Sequence, residues 1–173
     1  MSVLRVRAAA GATRGWLIWP GGACRCALGR GGIATVKREG DGVTPAGRFA
    51  LQTVYYRADR GPRPPGHLPA TAIAPDWGWG DDPKDPAGYN QLCQLPYAFS
   101  HERLWRGDHV YNILVVLGHN RAPTVAGAGS AIFLHLARSG LTPTAGCVAV
   151  PWAAIIALLG HLSPTSVIDI AAD

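Results

Sequence analysis

A histidine and a cysteine in the last third of the chain have the types and spacing best suited to catalysis. His135 lies in the apolar run 131–137, and Cys147 follows twelve residues later, directly after Gly146. A connection of that length can fold back and place the thiol beside the imidazole. A thiolate is a nucleophile, and an adjacent imidazole lowers its pKa and accepts its proton. The pair therefore predicts thiol catalysis, with the backbone N–H groups of Gly146 and Cys147 supplying an oxyanion site.

The same two residues also fit a purely structural interpretation. A lone histidine on an apolar strand and a lone cysteine near a helix are commonly core residues, because cysteine is among the most buried residue types. A buried imidazole still needs hydrogen-bond partners, so His135 must face something polar. The spacing alone leaves catalysis and core packing both open.

The motifs around these residues resemble those of a known family. His135 followed by Thr-Ala-Gly-Cys-Val at 144–148 is similar to the His…[Ser/Thr]-x-Gly-Cys-[Ile/Val] signature of the L,D-transpeptidase catalytic domain, the YkuD-type family. Upstream, residues 42–49 contain Thr-Pro-Ala-Gly-Arg-Phe, which resembles that family's Thr-Pro-x-Gly-x-Phe element at the same relative place. The resemblance runs from about Ile33 to Trp152, and the two motifs stand in the family's order.

This resemblance implies a mainly β, L,D-transpeptidase-type β-sandwich with one or two short helices, and an enzyme that needs no cofactor or metal. Cys147 is then the nucleophile and His135 the base. The implied oxyanion and substrate-binding residues are Gly146, Thr144, Asn120 and Asp82. Such enzymes cleave the L,D bond after the third residue of a peptidoglycan tetrapeptide and pass the acyl group from a Cys thioester to an amine. Two alternatives stay open: an L,D-carboxypeptidase that uses water, and a non-catalytic envelope protein that binds peptidoglycan.

Three positions depart from the family's pattern. The glycine that usually follows the histidine is Leu136 here, and Ala145 stands where many members have a second histidine. Ala149 replaces an arginine that often follows the Gly-Cys motif. That arginine is commonly tied to the active-site framework or to a substrate carboxylate, so the departures concern substrate contacts. The implied nucleophile and base are both retained.

Relative to the family's pattern, the segment Trp77–Asn90 looks like an insertion that is particular to this chain. It carries Asp81, Asp82 and Asp85 among aromatic residues, and such carboxylates can bind a cation such as the free amine of a diaminopimelate side chain. Acidic loops also bind hard metal ions, but the spacing does not match a calcium loop. A turn-rich surface loop with Asp caps is the structural alternative.

Other catalytic motifs have little support. The chain has no Gly-x-Ser-x-Gly elbow, and His101-Glu102 lacks the second histidine of a zinc helix motif. Asp108, His109 and His119 are possible metal ligands, but the two histidines flank one predicted strand and are expected at opposite ends of it. The glycine-rich stretch 29–32 lacks the lysine of a phosphate loop. We therefore predict no metal and no cofactor.

The secondary-structure elements that must position these residues are predicted to be mainly short strands and turns. Apolar pieces between glycine turns predict consecutive antiparallel strands at Val3–Val6, Trp16–Trp19, Cys24–Leu28, Ile33–Val36 and Phe49–Tyr55. Further predictions are buried strands at Val110–Leu117 and Ala131–Ala137, a helix at Pro151–Leu159 and a last strand at Ser166–Ile170. Residues 57–98 hold most of the prolines and predict a long functional loop. No repeat or linker is evident, so residues 1–173 are predicted to form one domain.

Composition and charge exclude several classes of protein. Hydrophobic residues make up 48% and charged residues 16% of the chain, a balance that excludes intrinsic disorder. The net charge is +5, but the arginines are scattered, which does not favour a nucleic-acid partner. No apolar stretch approaches a membrane span of about 20 residues. The four cysteines show no disulfide framework.

The sequence alone does not decide the cellular compartment of the protein. Residues 1–16 lack the apolar stretch of a secretory signal, which taken literally indicates a cytosolic protein. The family resemblance instead implies the cell envelope or periplasm, because the implied partners there are a peptidoglycan stem-peptide donor and an amine acceptor. The acceptor and the oligomeric state are not readable from the residues.

Overall fold

The computed structural model describes residues 2–173, and strands make up most of its regular structure. The strands are β1 (Val3–Ala8), β2 (Arg14–Trp19), β3 (Gly22–Ala27), β4 (Ile33–Ala34), β5 (Thr44–Pro45), β6 (Gly47–Tyr56), β7 (Ala70–Ala72), β8 (Trp77–Gly80), β9 (Leu92–Gln94), β10 (His101–Arg103), β11 (Ile113–Leu117), β12 (Phe133–Leu136), β13 (Val148–Val150) and β14 (Val167–Ala172). The helix α1 spans Trp152–Leu159, and a 3₁₀ turn spans Ser139–Leu141. The predicted mainly β fold with one or two short helices is confirmed.

The first three strands form an antiparallel meander, as predicted. β1 pairs with β2, and β2 pairs with β3. Their side chains alternate, because Leu4, Val6 and Leu17 are fully buried while Arg5 and Trp16 are exposed. This period of two arises because successive side chains of a strand point to opposite faces of the sheet.

The main sheet closes on itself through strands that are distant in sequence. β14 lies parallel to β1 and antiparallel to β6, and β6 then pairs with β11. From β11 the order runs through β12 and β13 back to β3, while β7 pairs with β6 on the outside. The prediction of consecutive antiparallel strands is therefore wrong beyond β3, where β4 pairs in parallel with β5. Apolar alternation marks a strand but does not identify its partner.

β12 lies between two layers of apolar side chains and carries His135. All four of its residues are buried, as predicted for the wider run 131–137. Leu134 belongs to the main core inside the closed sheet, whereas Phe133 belongs to a second cluster on the opposite face. Because residues two apart in a strand share a face, His135 points to the same side as Phe133.

The helix α1 packs onto the main core and ends where the sequence indicates. Pro151 precedes its first turn in an extended conformation, and Gly160 follows its last residue. The predicted helix Pro151–Leu159 is thus confirmed to within one residue. Its buried side chains, which join the main core, are Ala154, Ile155, Leu158 and Leu159.

Residues 57–98 are more ordered than the predicted loop. They contain β7, β8 and β9, and β8 lies between β9 and β10 in a three-stranded antiparallel sheet. β8 alternates Trp and Gly, and a side chain at Gly78 would lie 3.1 Å from the Cys93 sulfur, so close packing accounts for that glycine. Trp79 is fully buried and meets Phe133 edge-on at 5.1 Å between ring centroids. The small sheet therefore covers the face of β12 that carries His135.

The predicted strands all differ from the observed ones by one or more residues at their ends, and β12, for example, spans Phe133–Leu136 rather than 131–137. β11 begins at Ile113 rather than at Val110, because the Asn112 N–H donates to the His109 carbonyl and closes a turn there. The last strand spans Val167–Ala172 rather than 166–170. Within residues 2–173, no helix has both the length and the apolar character that crossing a membrane requires.

Candidate active site

A cavity of about 310 Å³ lies against β12 and β13 and contains both residues singled out by the sequence. His135 and Cys147 line it together, and so do Thr144 and Ala149. Its walls also carry charged side chains of both signs, namely Arg30, Lys37, Glu39, Asp81, Glu102, Arg106 and Arg138. The structure thus brings the predicted thiol and imidazole to the lining of one highly charged cavity.

The turn before β13 holds Cys147 in place. The Thr144 hydroxyl donates to the Cys147 carbonyl at 2.7 Å and accepts the Gly146 N–H at 3.1 Å. Gly146 has a φ of 141°, and a Cβ at this position would lie 2.8 Å from the Val43 carbonyl oxygen. Only glycine satisfies both conditions without displacing the backbone. Thr144 and Gly146, predicted as site residues, therefore both lie at the thiol and shape its turn.

The Cys147 thiol is buried and hydrogen-bonded to the segment that leads into β12. Its Sγ donates to the Ala131 carbonyl at 3.2 Å and accepts the Phe133 N–H at 3.3 Å. Burial raises the pKa of this thiol to about 12, and the nearby Glu102 carboxylate adds to the rise. The sequence led us to expect a lowered pKa for this thiol. In the protein without substrate the pKa is raised instead, because desolvation disfavours the thiolate. Cys147 is therefore a neutral thiol at physiological pH.

His135 is held by a single backbone hydrogen bond in a defined tautomer. Its Nδ1 lies 2.9 Å from the Leu136 carbonyl oxygen. Because a carbonyl can only accept, Nδ1 carries the hydrogen and Nε2 presents its lone pair. Burial lowers the pKa of His135 to about 4. The imidazole is therefore neutral at physiological pH and able to accept a proton at Nε2.

A network of charged and aromatic side chains supports the imidazole, and it was not predicted from the sequence. The Tyr111 ring meets His135 edge-on at 5.3 Å between centroids, and the Tyr111 hydroxyl donates to Glu102 at 2.6 Å. Arg106 forms a bidentate pair with Asp108, with both bonds at 2.8 Å, which lowers the pKa of Asp108 to about 2. The available signal was the density of ionisable residues between 102 and 111 in a chain with few charges.

Asn120 and Asp82, the other two predicted site residues, do not line this cavity. The Asn120 side-chain amide donates to the Val125 and Gly129 carbonyls, and its oxygen accepts the Val125 N–H. It therefore closes the loop 120–129 on itself. Asp82 accepts the Lys84 N–H in a turn, and its neighbour Asp81 is the carboxylate that lines the cavity.

The remaining candidate residues have structural roles. Asp85 accepts the N–H groups of Ala87 and Gly88 and the Tyr97 hydroxyl, so it caps a turn. His109 bonds to the Ala137 carbonyl, and His119 bonds to the Ala128 carbonyl. Among residues 2–173, no three His, Cys, Asp or Glu side chains are grouped so as to hold a metal ion. Cys24, Cys26 and Cys93 are free thiols elsewhere in the described chain.

The depressed pKa of His135 makes the fold sensitive to acid. In the unfolded chain the pKa of this residue is close to the ordinary histidine value of 6.5, whereas in the folded chain it is about 4. The unfolded state therefore binds more protons between these values, so stability falls as the pH falls through this window. We expect wild type to lose about 2 kcal/mol more than His135→Gln between about pH 7.5 and about pH 5. Urea unfolding at the two pH values measures this difference, and equal losses in both proteins would contradict the assignment.

The fold and site define a class: a mainly β domain with a buried thiol and a neutral imidazole in one charged cavity. The family model described as YkuD, the L,D-transpeptidase catalytic domain, matches residues 10–170. The chain belongs to this family.

One solved structure that matches is an L,D-transpeptidase from Mycobacterium smegmatis, at 13% sequence identity and a TM-score of 0.42. The alignment covers 99% of this chain and 59% of that chain, so this chain spans a little over half of that protein's length. The comparison with curated proteins found no match.

Proposed function

We propose that the chain is a cysteine-dependent L,D-transpeptidase that acts on peptidoglycan stem peptides, with residues 1–173 forming one catalytic domain. The observation that carries the proposal is the pairing, in one cavity, of the Cys147 thiol with an imidazole whose Nδ1 hydrogen is held by a carbonyl. This tautomer leaves Nε2 as a proton acceptor, which is what a thiol nucleophile requires. Membership of the family supports this type of reaction.

In the first half-reaction the neutral pair transfers a proton as the nucleophile attacks. The Cys147 sulfur bonds to the carbonyl carbon of the donor's third residue, and the thiol proton moves to Nε2 of His135. The carbon–nitrogen bond to the fourth residue then breaks, and Nε2 returns the proton to the departing amine. The product is a thioester on Cys147. Because both groups start neutral, no buried charge has to be maintained before substrate arrives.

The oxyanion of the tetrahedral intermediate needs backbone donors beside the thiol. The Gly146 N–H already donates to the Thr144 hydroxyl at 3.1 Å. We therefore assign the oxyanion to the Cys147 N–H of the same turn rather than to both N–H groups predicted from the sequence. The constrained turn preorganises this donor, so little reorganisation is needed during the reaction.

In the second half-reaction an acceptor amine replaces the sulfur. His135 Nε2 accepts a proton from the amine, the amine nitrogen bonds to the thioester carbon, and the carbon–sulfur bond breaks. The sulfur then takes the proton back from Nε2, which restores the neutral pair. Water in place of the amine gives an L,D-carboxypeptidase by the same steps. The acceptor therefore decides between cross-linking, amino-acid exchange and trimming.

The test is product analysis with purified protein and tetrapeptide muropeptides, with and without added D-amino acids. Mass spectrometry distinguishes an exchanged tetrapeptide, a cross-linked dimer and a trimmed tripeptide. We expect exchange or cross-linking when an amine is present. A tripeptide as the sole product would identify the carboxypeptidase, and binding to the wall polymer with no product would favour a non-catalytic peptidoglycan-binding protein.

A further inference from the structure

An exposed face of the main sheet gathers arginines that are scattered in the sequence. Leu4, Val6 and Leu17 of β1 and β2 point into the main core. The residues between them therefore point away from the core, and their cross-strand partners point the same way. The register places six such side chains on one outer surface, which we call the basic face: Arg5, Arg7, Arg14, Trp16, Arg25 and Arg48.

Most of the charge on the basic face is not neutralised by the protein. Arg7 forms an ion pair with Asp169, which points to the same side of the sheet from β14. Arg5, Arg25 and Arg48 are exposed and form no ion pair with the carboxylates of residues 2–173. The surface therefore carries an excess of positive charge and attracts anionic groups.

Trp16 lies in the middle of this charge and is 48% exposed. Across the sheet it pairs with Arg7 on one side and with Arg25 on the other. The Arg25 guanidinium carbon lies 5.3 Å from the centre of the indole ring, a cation–π contact that holds the ring in place. An exposed indole can pack against the C–H groups of a sugar ring, and the flanking guanidinium groups can pair with carboxylates.

The basic face and the imidazole of His135 lie on the same side of one continuous sheet. Arg14 of β2 is the cross-strand partner of Ala27 in β3. Ala27 pairs in turn with Ala149, and Ala149 pairs with His135. Because partners on neighbouring strands share a face, a row of residues about 14 Å long joins Arg14 to His135.

The turn Ser139–Leu141 connects the rim of the cavity to the basic face. Arg138, directly before this turn, lines the cavity. The Gly140 carbonyl accepts a hydrogen bond from the Arg14 guanidinium at 2.8 Å, and the Leu141 carbonyl accepts another at 3.3 Å. A polymer that leaves the cavity across this turn therefore meets Arg14 first and then the next outward residue of β2, which is Trp16.

We infer that the basic face is an exosite, a second binding surface outside the cavity, for the peptidoglycan strand whose stem peptide occupies the cavity. The inference rests on the proposed function, which places a stem peptide at Cys147. Peptidoglycan combines sugar rings with stem-peptide carboxylates, which match the indole and the guanidinium groups. A second copy of this face would bring like charges together. A bilayer cannot extend into a cavity of about 310 Å³, whereas a polymer strand with peptide branches can.

The test is co-sedimentation of the chain with insoluble peptidoglycan, in a Cys147→Ala background that prevents turnover. We expect Arg5→Gln combined with Arg25→Gln to raise the apparent Kd roughly fivefold or more, because two charged contacts are lost. Trp16→Ala should raise it roughly tenfold, as expected for an exposed aromatic anchor. Added salt should weaken binding of the parent more than that of the double arginine variant. If Trp16→Ala fails to fold, the double arginine variant decides the outcome.

Two variants elsewhere on the surface are the matched controls. Trp152 at the start of α1 is 49% exposed, so Trp152→Ala removes a tryptophan of equal exposure. Arg63→Gln combined with Lys84→Gln removes two exposed positive charges from residues 57–98. Both controls should bind insoluble peptidoglycan as the parent does. Equal losses in the controls and the basic-face variants, or no loss in the basic-face variants, would overturn the inference.

Two other anionic probes test whether peptidoglycan is the partner. The same proteins are mixed with phosphatidylglycerol vesicles and with double-stranded DNA at the same salt concentration. We expect binding to both probes to be weaker than binding to peptidoglycan and nearly independent of Trp16. Tighter binding to either probe, lost in the basic-face variants, would overturn peptidoglycan as the occupant.

Turnover measurements separate this inference from the proposed function. With Cys147 intact, the ratio of turnover on insoluble peptidoglycan to turnover on a sugar-free tetrapeptide should fall roughly fivefold in the double arginine variant. Turnover on both donors with an unchanged ratio would overturn the exosite and leave the proposed function standing. Peptidoglycan binding that depends on the basic face, with no turnover of either donor, would leave the exosite and overturn the proposed function. Neither binding nor turnover would overturn both.

Discussion

Substitution of Cys147 by alanine will abolish acyl transfer, with kcat/KM lower by about three orders of magnitude or more. In the proposed reaction the thioester forms at this thiol, and no other cysteine lines the cavity in the part of the chain that the structure describes. Alanine removes the nucleophile and leaves the backbone turn of Thr144 and Gly146 unchanged. Chromatographic quantification of exchanged or trimmed muropeptide, with the D-amino acid in excess, measures the loss.

Cys93→Ala provides the matched control for this experiment. Cys93 is as deeply buried as Cys147, at 8% against 7% exposure, but it packs in the small sheet of β8, β9 and β10. We expect this variant to keep its activity to within about twofold, since it changes a buried thiol outside the cavity. Persistent turnover in Cys147→Ala, or equal losses in the two variants with both folded, would argue against Cys147 as the nucleophile.

Substitution of His135 by glutamine will lower kcat by about two to four orders of magnitude, the usual contribution of a general base. Glutamine has a side chain of similar size with no titratable nitrogen, so the substitution removes the proton acceptor with little change in side-chain volume. KM should change far less than kcat, because the imidazole handles the reacting proton rather than the rest of the donor. Steady-state kinetics on a tetrapeptide donor gives both parameters.

The pH dependence of wild type distinguishes the neutral pair from a preformed thiolate–imidazolium pair. Burial lowers the pKa of His135 to about 4 and raises that of Cys147 to about 12. Because the reactive form has a neutral imidazole, kcat/KM should stay level as the pH falls through 6.5, the ordinary value for histidine. An acidic limb centred at or above this value would contradict the lowered pKa of His135. Loss of activity at alkaline pH, as an imidazolium gives up its proton, would instead indicate an ion pair in the free enzyme.

The sequence predicted the elements of the fold better than their pairing. The meander β1–β3 follows from alternation between glycine turns, and α1 follows from Pro151 and Gly160 at its ends. β8 was missed because Trp-Gly alternation resembles a loop, although Gly78 is required by close packing against Cys93. The closure of the sheet between β6 and β11 depends on contacts between distant segments, which a local pattern does not encode.

The site was predictable where chemistry is carried by a short motif. His135, Thr144 and Cys147 line one cavity, and Gly146 lies in the turn directly before Cys147. The catalytic and binding roles that the family resemblance implies for them stay predictions. Their protonation states were not predictable, because burial of the thiol and imidazole depends on the cluster around Phe133 and Trp79. Asp81 rather than Asp82 lines the cavity, and both residues follow the end of β8, where strand alternation no longer predicts the direction of a side chain.

The most direct test of the account is intact-protein mass spectrometry of the acyl-enzyme. Wild type is mixed with a tetrapeptide donor without an amine acceptor, and samples are quenched in acid at short times. We expect an added mass equal to the donor minus its fourth amino acid, located by proteolysis on Cys147 and absent from Cys147→Ala. Product formed with no covalent adduct at any time, or an adduct carried by Cys24, Cys26 or Cys93 instead, would contradict it.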